Sequence, residues 1–182
     1  MEQPSNGCLS STDIFEKMHV IPKSGRTLIV GSKVYDGRVD RRRAYANAEG
    51  WDMLAGDGVD RVINLEDSLP SDVGVFAHIE CISVLEHSRK PWALAENIER
   101  LLDREGTLHL QVPFIWRVHS YPDDYWRFTT SAVQLLFSRV HFVELLYVGK
   151  ELDSRLKAVM IKDHPYFPRT QIAGFGKLIG DL

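Results

Sequence analysis

One segment of the chain, VPFIWRVHSYPDDYWRFT at residues 112–129, combines an imidazole, carboxylates, arginines and aromatic rings in one predicted loop. His119 is the side chain of this segment best able to take a proton from an attacking hydroxyl near neutral pH. Asp123 or Asp124 could orient that imidazole or bind a substrate amine. We therefore interpret the segment as the wall of a pocket, in which the arginines could bind a carboxylate or phosphate and the aromatic rings could form apolar walls.

The alternative is that these side chains only stabilise the loop. Asp124 and Arg127 are close enough in sequence to form an internal salt bridge. Trp126 and Phe128 could simply pack the loop against a sheet. Both interpretations stay open at the level of sequence.

Composition and charge limit the class of protein. The chain has 182 residues, 44% of them hydrophobic, so one domain with a substantial core is expected. The formal net charge of −3 and the pI near 6.2 give no excess of basic residues to neutralise a phosphate backbone, so no nucleic-acid partner is expected. Arg38, Arg41, Arg42 and Arg43 form a basic cluster, which we interpret first as a solvated face and second as an anion contact.

The sequence predicts a cytoplasmic protein without a membrane partner. It lacks a signal-peptide pattern and any window of about 18 apolar residues that could span a membrane. Cys8 and Cys81 lie in no metal or redox spacing. His78 and Glu80 could share one face of a strand, but no third ligand is near them in sequence, so no metal site is predicted. The oligomeric state is not predicted.

Two helices are predicted with clear start signals. Residues 88–106 form the first, where Ser88 could cap the helix, Pro91 suits its first turn and Gly106 would end it. Residues 129–140 form the second, with apolar side chains on one side.

The other predicted elements are a short capped helix at residues 10–21 and a series of strands. The strands are residues 26–30, runs around Trp51 and Ile63, and residues 73–85, 107–114, 141–148 and 156–163.

The order of these elements predicts an α/β fold, mostly parallel, with an antiparallel hairpin made by residues 141–148 and 156–163. Three regions are expected along the chain. A lead-in with the short helix covers residues 1–22, the main domain covers residues 23–163, and residues 164–182 form a tail that is irregular or a short docked helix.

Four segments carry a family resemblance: TLIVGSK, GWDMLAGDGVDRVINLEDSLP, ISVLEHSRKPWALAENIERLLDREGTLHLQVPF and WRVHSYPDDYWRFTTSAVQLLF. With the strands between them they cover about residues 26–148, and together they resemble the class I S-adenosylmethionine-dependent methyltransferases, in particular the small bacterial type 11 form. The resemblance implies a Rossmann-like, mostly parallel seven-stranded sheet flanked by helices, with an antiparallel C-terminal strand.

The resemblance also implies S-adenosylmethionine as cofactor. The glycine loop after the first strand would approach the methionine part, and Asp52 after the second strand would accept both ribose hydroxyls, with Met53 against the adenine. The full set of implied cofactor residues is Gly31, Ser32, Lys33, Asp52, Met53, Asn64, Leu65, Ser83, Val84 and His87.

By the same resemblance, the loop at residues 112–129 would lie over the transferable methyl group and form the acceptor pocket. The side-chain chemistry of this loop then predicts His119, Asp123 and Tyr121 as catalytic residues and Arg117, Tyr125, Trp126 and Arg127 as substrate-binding residues.

The chain departs from the family pattern at two positions. Ile29 stands where an acid usually precedes the first glycine, and Ala77 stands where the fourth strand often starts with aspartate. Asp36, in the loop, could replace the first of these acids.

The function indicated is transfer of a methyl group from S-adenosylmethionine to a hydroxyl or amine of a small-molecule acceptor. One alternative is a catalytically silent methyltransferase-like module that binds a partner or a cofactor. Another is a nicotinamide-nucleotide enzyme, since an acid after the second strand also suits that ribose, but the chain has no G-x-G-x-x-G run.

Overall fold

The structure is a computed structural model that describes residues 25–35, 38–120, 122–148 and 171–178. The predicted helix at residues 10–21 and the predicted strand at residues 156–163 lie outside the described residues, as do Asp36 and Tyr121.

The described residues form one seven-stranded sheet, with the spatial order β3-β2-β1-β4-β5-β7-β6. The strands are β1 Thr27–Val30, β2 Ala48–Asp52, β3 Arg61–Val62, β4 Phe76–Ile82, β5 Leu102–Pro113, β6 Val140–Val148 and β7 Gln171–Leu178. Strands β1 to β5 pair in parallel, and β7 is antiparallel to both of its neighbours. The expected Rossmann-like, mostly parallel sheet with an antiparallel C-terminal strand is confirmed.

The expectation of an irregular or helical tail is wrong for residues 171–178, which form β7 between β5 and β6. Glycines allow this strand to pack closely against β6. A Cβ on Gly174 would lie 2.7 Å from Cδ1 of Leu145, and one on Gly176 would lie 2.3 Å from Cγ1 of Val140. These glycines therefore make room for the side chains of the neighbouring strand.

Helix α1, Pro91–Leu101, begins with proline in its first turn, as predicted. It ends five residues earlier than Gly106, because Leu102 already pairs with Phe76 at the start of β5. Ser88 does not cap the helix; Lys90 is the N-cap residue and makes no side-chain cap bond. Ser88 Oγ instead accepts a hydrogen bond from Lys90 N at 3.1 Å.

Helix α2, Thr130–Leu136, is capped by Thr129, whose Oγ1 accepts from Ala132 N at 3.1 Å. Its buried Val133 joins the same core cluster as Ile98 of α1 and Leu108 of β5. Burial of each such aliphatic side chain stabilises the fold by about 1.5–3 kcal/mol. This core holds both helices against the sheet and leaves the strand ends free to carry loops.

The basic cluster is not a solvated face at two of its positions. Arg41 pairs with the buried carboxylate of Glu80, and Arg42 pairs with Asp40 at 2.8 Å and Asp60 at 2.6 Å. Both arginines lie in the 3-10 turn Arg41–Ala44. Arg41 and Arg42 therefore stabilise the fold through ion pairs, and these pairs already occupy the guanidinium groups that an anion would need.

Candidate functional site

The candidate site lies at the carboxyl ends of the parallel strands, where ligands bind in open α/β sheets. Loops leave this edge after β1 at Gly31, after β2 at Met53, after β4 at Ser83 and after β5 at Phe114. These loops contain the predicted cofactor and acceptor residues that the structure describes, with three exceptions: Asp52 is the last residue of β2, and Asn64 and Leu65 follow β3.

The loop after β1 is in close contact with the loop after β4. Gly31 has φ +67°, and a Cβ there would lie 2.5 Å from Cγ2 of Val84. Ser83, just before Val84, has φ 55° and donates its N–H to the carbonyl of Gln111 at 2.9 Å. Glycine is therefore required at position 31 for two reasons, its positive φ and the space that Val84 occupies.

Asp52 joins the first and second loops. Its Oδ2 accepts from the backbone N–H of Lys33 at 3.1 Å, and its Oδ1 accepts from that of Leu54 at 2.9 Å. An ionised carboxylate has about four acceptor positions, so two remain for a ligand. Met53 and Leu54 follow with 47% and 42% of their surface exposed, which places apolar surface beside the carboxylate.

The backbone donors of residues 31–34, the first part of the loop after β1, are used within the protein. Gly31 and Ser32 both donate to the carbonyl of Trp51, at 2.9 and 3.2 Å, and Val34 donates to that of Asp57 at 2.8 Å. With the bond from Lys33 to Asp52, four consecutive N–H groups are satisfied. Among the described residues, the Oγ of buried Ser32 has no hydrogen-bond partner.

These contacts test whether S-adenosylmethionine fits the chain. The nucleoside half fits, because Asp52 keeps acceptor capacity for ribose hydroxyls and Met53 offers an apolar face for adenine. For the amino-acid half, Ile29 provides no carboxylate for the ammonium group, and Ser32 Oγ is a buried polar atom without a partner in the described structure.

Asn64 and Leu65 have structural contacts. The Nδ2 of Asn64 donates to Asp67 Oδ2 at 2.9 Å, and its Oδ1 accepts from Glu66 N at 3.1 Å. Leu65 is buried in the core, and its carbonyl accepts from Nδ2 of Asn97 at 2.9 Å. Their assignment to the cofactor stays a prediction.

The loop after β5 is organised around Asp124. Arg127 donates to both oxygens of this carboxylate, at 2.6 and 2.8 Å, and it also donates to the carbonyls of Trp116 and Arg117. The side chain of Asp124 is only 2% exposed. The Arg127 guanidinium holds the pKa of Asp124 well below its usual range, so this carboxyl is ionised. The internal salt bridge considered from the sequence is therefore present.

His119 is the second partner of Asp124. Its Nδ1 lies 3.0 Å from Asp124 Oδ2, and its backbone N–H donates to the same oxygen at 2.9 Å. The imidazole is thus oriented by Asp124 and not by Asp123. Asp123 accepts on its carboxylate from the hydroxyl of Tyr125 at 2.7 Å and on its carbonyl from His87 Nδ1 at 2.6 Å.

The other predicted acceptor residues lie around this pair. Trp126 donates its Nε1–H to the carbonyl of Ser88 at 2.8 Å, which fastens the loop to the start of α1. The hydroxyl of Tyr125 accepts from Arg89 at 2.9 Å, and Arg117 is exposed. Arg127 serves the loop itself, as described above.

Residues Leu85–His87 form a 3-10 turn after β4 that brings His87 beside His119. The two imidazole rings are 4.8 Å apart at an angle of 81°. Burial lowers the pKa of His87. The backbone N–H of His87 donates to the carbonyl of Val84 at 2.9 Å, so this turn links the residue beside Gly31 to His119.

Glu86 is a functional candidate that sequence reasoning missed. It is 1% exposed, and burial raises its pKa to about 7. One potential ligand atom from each of Glu86, His87 and His119 lies within 4.8 Å of the other two, and this is the one such cluster that could hold a metal among the described residues. Glu86 belongs to the VLEH segment, but the sequence does not show that this residue is buried. The sequence also does not show that Glu86 lies close to His119, because the two residues are far apart along the chain.

His78 and Glu80 belong to a separate buried cluster on β4. Glu80 accepts from the hydroxyl of Tyr45 at 2.8 Å and pairs with Arg41. Burial by itself would raise the pKa of Glu80, but Arg41 and His109 together lower it to about 2. His78 Nδ1 lies 2.7 Å from Oγ1 of Thr107, and burial lowers its pKa to about 4. These contacts are structural.

No protein-family model matches the sequence, and no curated protein matches it. Solved structures match over most of the chain. One is the 1,6-didemethyltoxoflavin-N1-methyltransferase of Burkholderia thailandensis, crystallised with bound 1,6-didemethyltoxoflavin and S-adenosylhomocysteine. It has a TM-score of 0.63 at 13% identity, and the match covers 93% of this chain and 76% of that chain.

Two further structures are similar. An S-adenosylmethionine-dependent methyltransferase of Clostridium acetobutylicum has a TM-score of 0.59 at 9% identity, covering 93% and 91% of the two chains. A chain in the complex of the Haloferax volcanii Trm112 methyltransferase activator with a methyltransferase has a TM-score of 0.56 at 14% identity, covering 87% and 83%.

Within the described residues, neither helix has the length and apolar character needed to cross a membrane. The strand order of the sheet, its antiparallel strand β7 and the similarity to solved methyltransferase structures all indicate the same fold. The chain therefore has the fold of the class I S-adenosylmethionine-dependent methyltransferases.

Proposed function

We propose that the protein binds S-adenosylmethionine and transfers its methyl group to a hydroxyl or amine of a small molecule in the cytoplasm. One observation carries this proposal: a single 3-10 turn connects the predicted cofactor loop to the predicted base. Gly31 lies against Val84, the carbonyl of Val84 accepts from His87 N, and the ring of His87 packs on His119. Cofactor and acceptor would then meet at this turn.

Asp52 and Met53 would hold the nucleoside. The two free acceptor positions of Asp52 suit the ribose hydroxyls, and the exposed side chain of Met53 suits the adenine face. When bound, S-adenosylmethionine supplies an electrophilic methyl group on a positively charged sulfur. The task of the protein is to align the acceptor with that group and to exclude water.

His119 would take the proton of an acceptor hydroxyl. Its Nδ1 lies 3.0 Å from the ionised Asp124 and 3.3 Å from the carbonyl of Arg117, and because both are acceptors the ring would keep its proton on Nδ1 and offer Nε2 as the base. Asp124 in turn is held by the two bonds from Arg127. Tyr125 and Trp126, both partly exposed at this loop, would contact the acceptor.

A second candidate, a catalytically silent binding module, is favoured by one observation. Each N–H of residues 31–34 is already bonded within the protein, and Ile29 offers no carboxylate. In that case the first loop would be a structural connection and not a binding loop for the methionine part.

The test is calorimetric titration of the full chain with S-adenosylmethionine and S-adenosylhomocysteine, with NAD as the control nucleotide. Saturable binding of the sulfur nucleotides supports the enzyme and justifies a screen of small-molecule acceptors. If the folded chain binds neither sulfur nucleotide, the result supports the silent module. Preferential binding of NAD would instead support a nicotinamide-nucleotide enzyme.

Asp52→Asn is the variant that ties this binding to the site. Loss of the charge at a bonded ribose is expected to weaken S-adenosylhomocysteine binding about 10- to 100-fold, since a hydrogen bond to a charged group contributes about 1.5–3 kcal/mol. Asp57→Asn removes an exposed carboxylate from the same loop and should leave affinity unchanged. Equal affinity in both variants would exclude Asp52 from the cofactor site.

A further inference from the structure

Glu86, His87 and His119 come from two loops, yet one potential ligand atom of each lies within 4.8 Å of the other two. The Nε2 of His87 is already 3.8 Å from Oε1 of Glu86. Tetrahedral zinc with ligands at about 2.0–2.1 Å places its ligand atoms about 3.4 Å apart. Small side-chain rotations would close the remaining gap.

Hydrogen bonds set the tautomer of His87. Its Nδ1 lies 2.6 Å from the backbone carbonyl of Asp123, which can only accept a hydrogen bond. Nδ1 therefore carries the proton, and Nε2, which lies 3.8 Å from Oε1 of Glu86, keeps its lone pair for a ligand. Metal-binding histidines typically donate their second N–H to a backbone carbonyl in this way.

Neighbouring acceptors also set the tautomer of His119. Its Nδ1 lies 3.0 Å from the carboxylate of Asp124 and 3.3 Å from the carbonyl of Arg117, both of which are acceptors. Nδ1 therefore carries the proton here too, and Nε2 is free to bind. The carboxylate behind the imidazole is the partner that raises the basicity of a metal-binding histidine.

Glu86 provides an independent observation that points to a cation ligand. Its side chain is 2% exposed, and within the described structure its Oε2 has no hydrogen-bond partner. A buried polar atom without a partner is costly, and a bound cation would satisfy it. The unsatisfied oxygen belongs to the same carboxylate that faces His87.

We propose that Glu86, His87 and His119 bind one divalent transition-metal ion of the zinc type. Two imidazoles and one carboxylate form a ligand set that zinc accepts, with a fourth position left for water or an acceptor heteroatom. The binding itself does not depend on the proposed methyl transfer. Only a role for the metal at the acceptor would rest on that function, and a metal-bound His119 could not serve as the base.

The test is zinc titration of the chelator-treated full-length chain, without cofactor, by calorimetry and by competition with a chromophoric chelator. One equivalent should bind, and Glu86→Gln, His87→Gln and His119→Gln should each weaken binding at least tenfold. His141→Gln changes an exposed histidine outside the cluster and should have no effect. Circular dichroism of each variant shows whether the fold is kept.

His119→Cys is a second variant that predicts a gain of signal. A thiolate can replace the imidazole, so this variant should retain metal and give cobalt a sulfur charge-transfer band that the wild type lacks. Absence of stoichiometric zinc binding by the wild type, or equal affinity in the cluster variants and in His141→Gln, would overturn the proposal. Because no cofactor is present, failure of S-adenosylhomocysteine binding would leave the zinc result intact.

Discussion

Gly31→Ala tests the contact that connects the cofactor loop to the rest of the site. The new methyl group would lie 2.5 Å from Cγ2 of Val84, whereas carbon atoms in contact are normally about 3.5–4.0 Å apart. Valine is branched at Cβ and has few alternative rotamers, so Val84 cannot move aside without strain. The substitution also places alanine at φ +67°.

The two effects have separate magnitudes. A left-handed backbone costs a residue with a Cβ about 1–2 kcal/mol, and overpacking of a close contact costs about 1–3 kcal/mol. Gly31→Ala should therefore lower the free energy of unfolding by about 2–5 kcal/mol. Gly56→Ala is the matched control, because its Cβ would meet only the flexible side chain of Lys33, and it should change stability by less than about 1 kcal/mol.

The assay is urea unfolding followed by tryptophan fluorescence, and the double variant Gly31→Ala/Val84→Ala separates the two effects. Removal of the Val84 methyl groups should cancel the overpacking, so the double variant should lose about 1–3 kcal/mol less than the sum of the single variants. Stability of Gly31→Ala close to the wild type, or strictly additive losses, would refute the reasoning.

Two further predictions concern buried charges. Burial lowers the pKa of His78 from 6.5 to about 4, so between these pH values the unfolded chain binds a proton that the folded chain does not. Acidification from about pH 6.5 to about pH 4 should therefore reduce the free energy of unfolding of the wild type by up to about 3 kcal/mol more than that of His78→Gln, and parallel pH profiles would contradict this. Arg127→Lys keeps the charge but loses the planar fork that bonds Asp124, so urea unfolding should show a loss of about 1–3 kcal/mol. Arg100→Lys, in the exposed pair with Glu96, should change stability by less than about 0.5 kcal/mol, and equal losses would refute the role given to Arg127.

Local physical chemistry in the sequence was sufficient for much of the fold. Proline at the start of α1, the apolar side chains of both helices and the β-prone runs depend on spacings of a few residues, and the structure confirms these elements within the described residues, which do not include the strand predicted at residues 156–163. Gly31 after β1 and Asp52 at the end of β2 are likewise local features, and both lie where the resemblance implied. Their binding roles stay predictions.

Only the tertiary structure decided which side chains meet. Asp123 and Asp124 are adjacent and chemically identical, so no spacing could show that Asp124 orients His119 while Asp123 contacts His87 and Tyr125. From its chemistry alone, Arg127 could either bind a substrate or stabilise the loop. Its two hydrogen bonds to Asp124 form only in the folded loop.

The same reason explains the two largest differences. Gln171–Leu178 contains two glycines that weaken the strand signal, and its place in the sheet depends on β5 and β6, which are distant in sequence. Nothing in the VLEH segment distinguishes Glu86 from other acidic residues, and only the fold shows that it is buried beside His87 and His119. Periodicity and turn chemistry act between near neighbours and can be read from the chain, whereas burial and charge pairing depend on residues that the sheet brings together from distant positions.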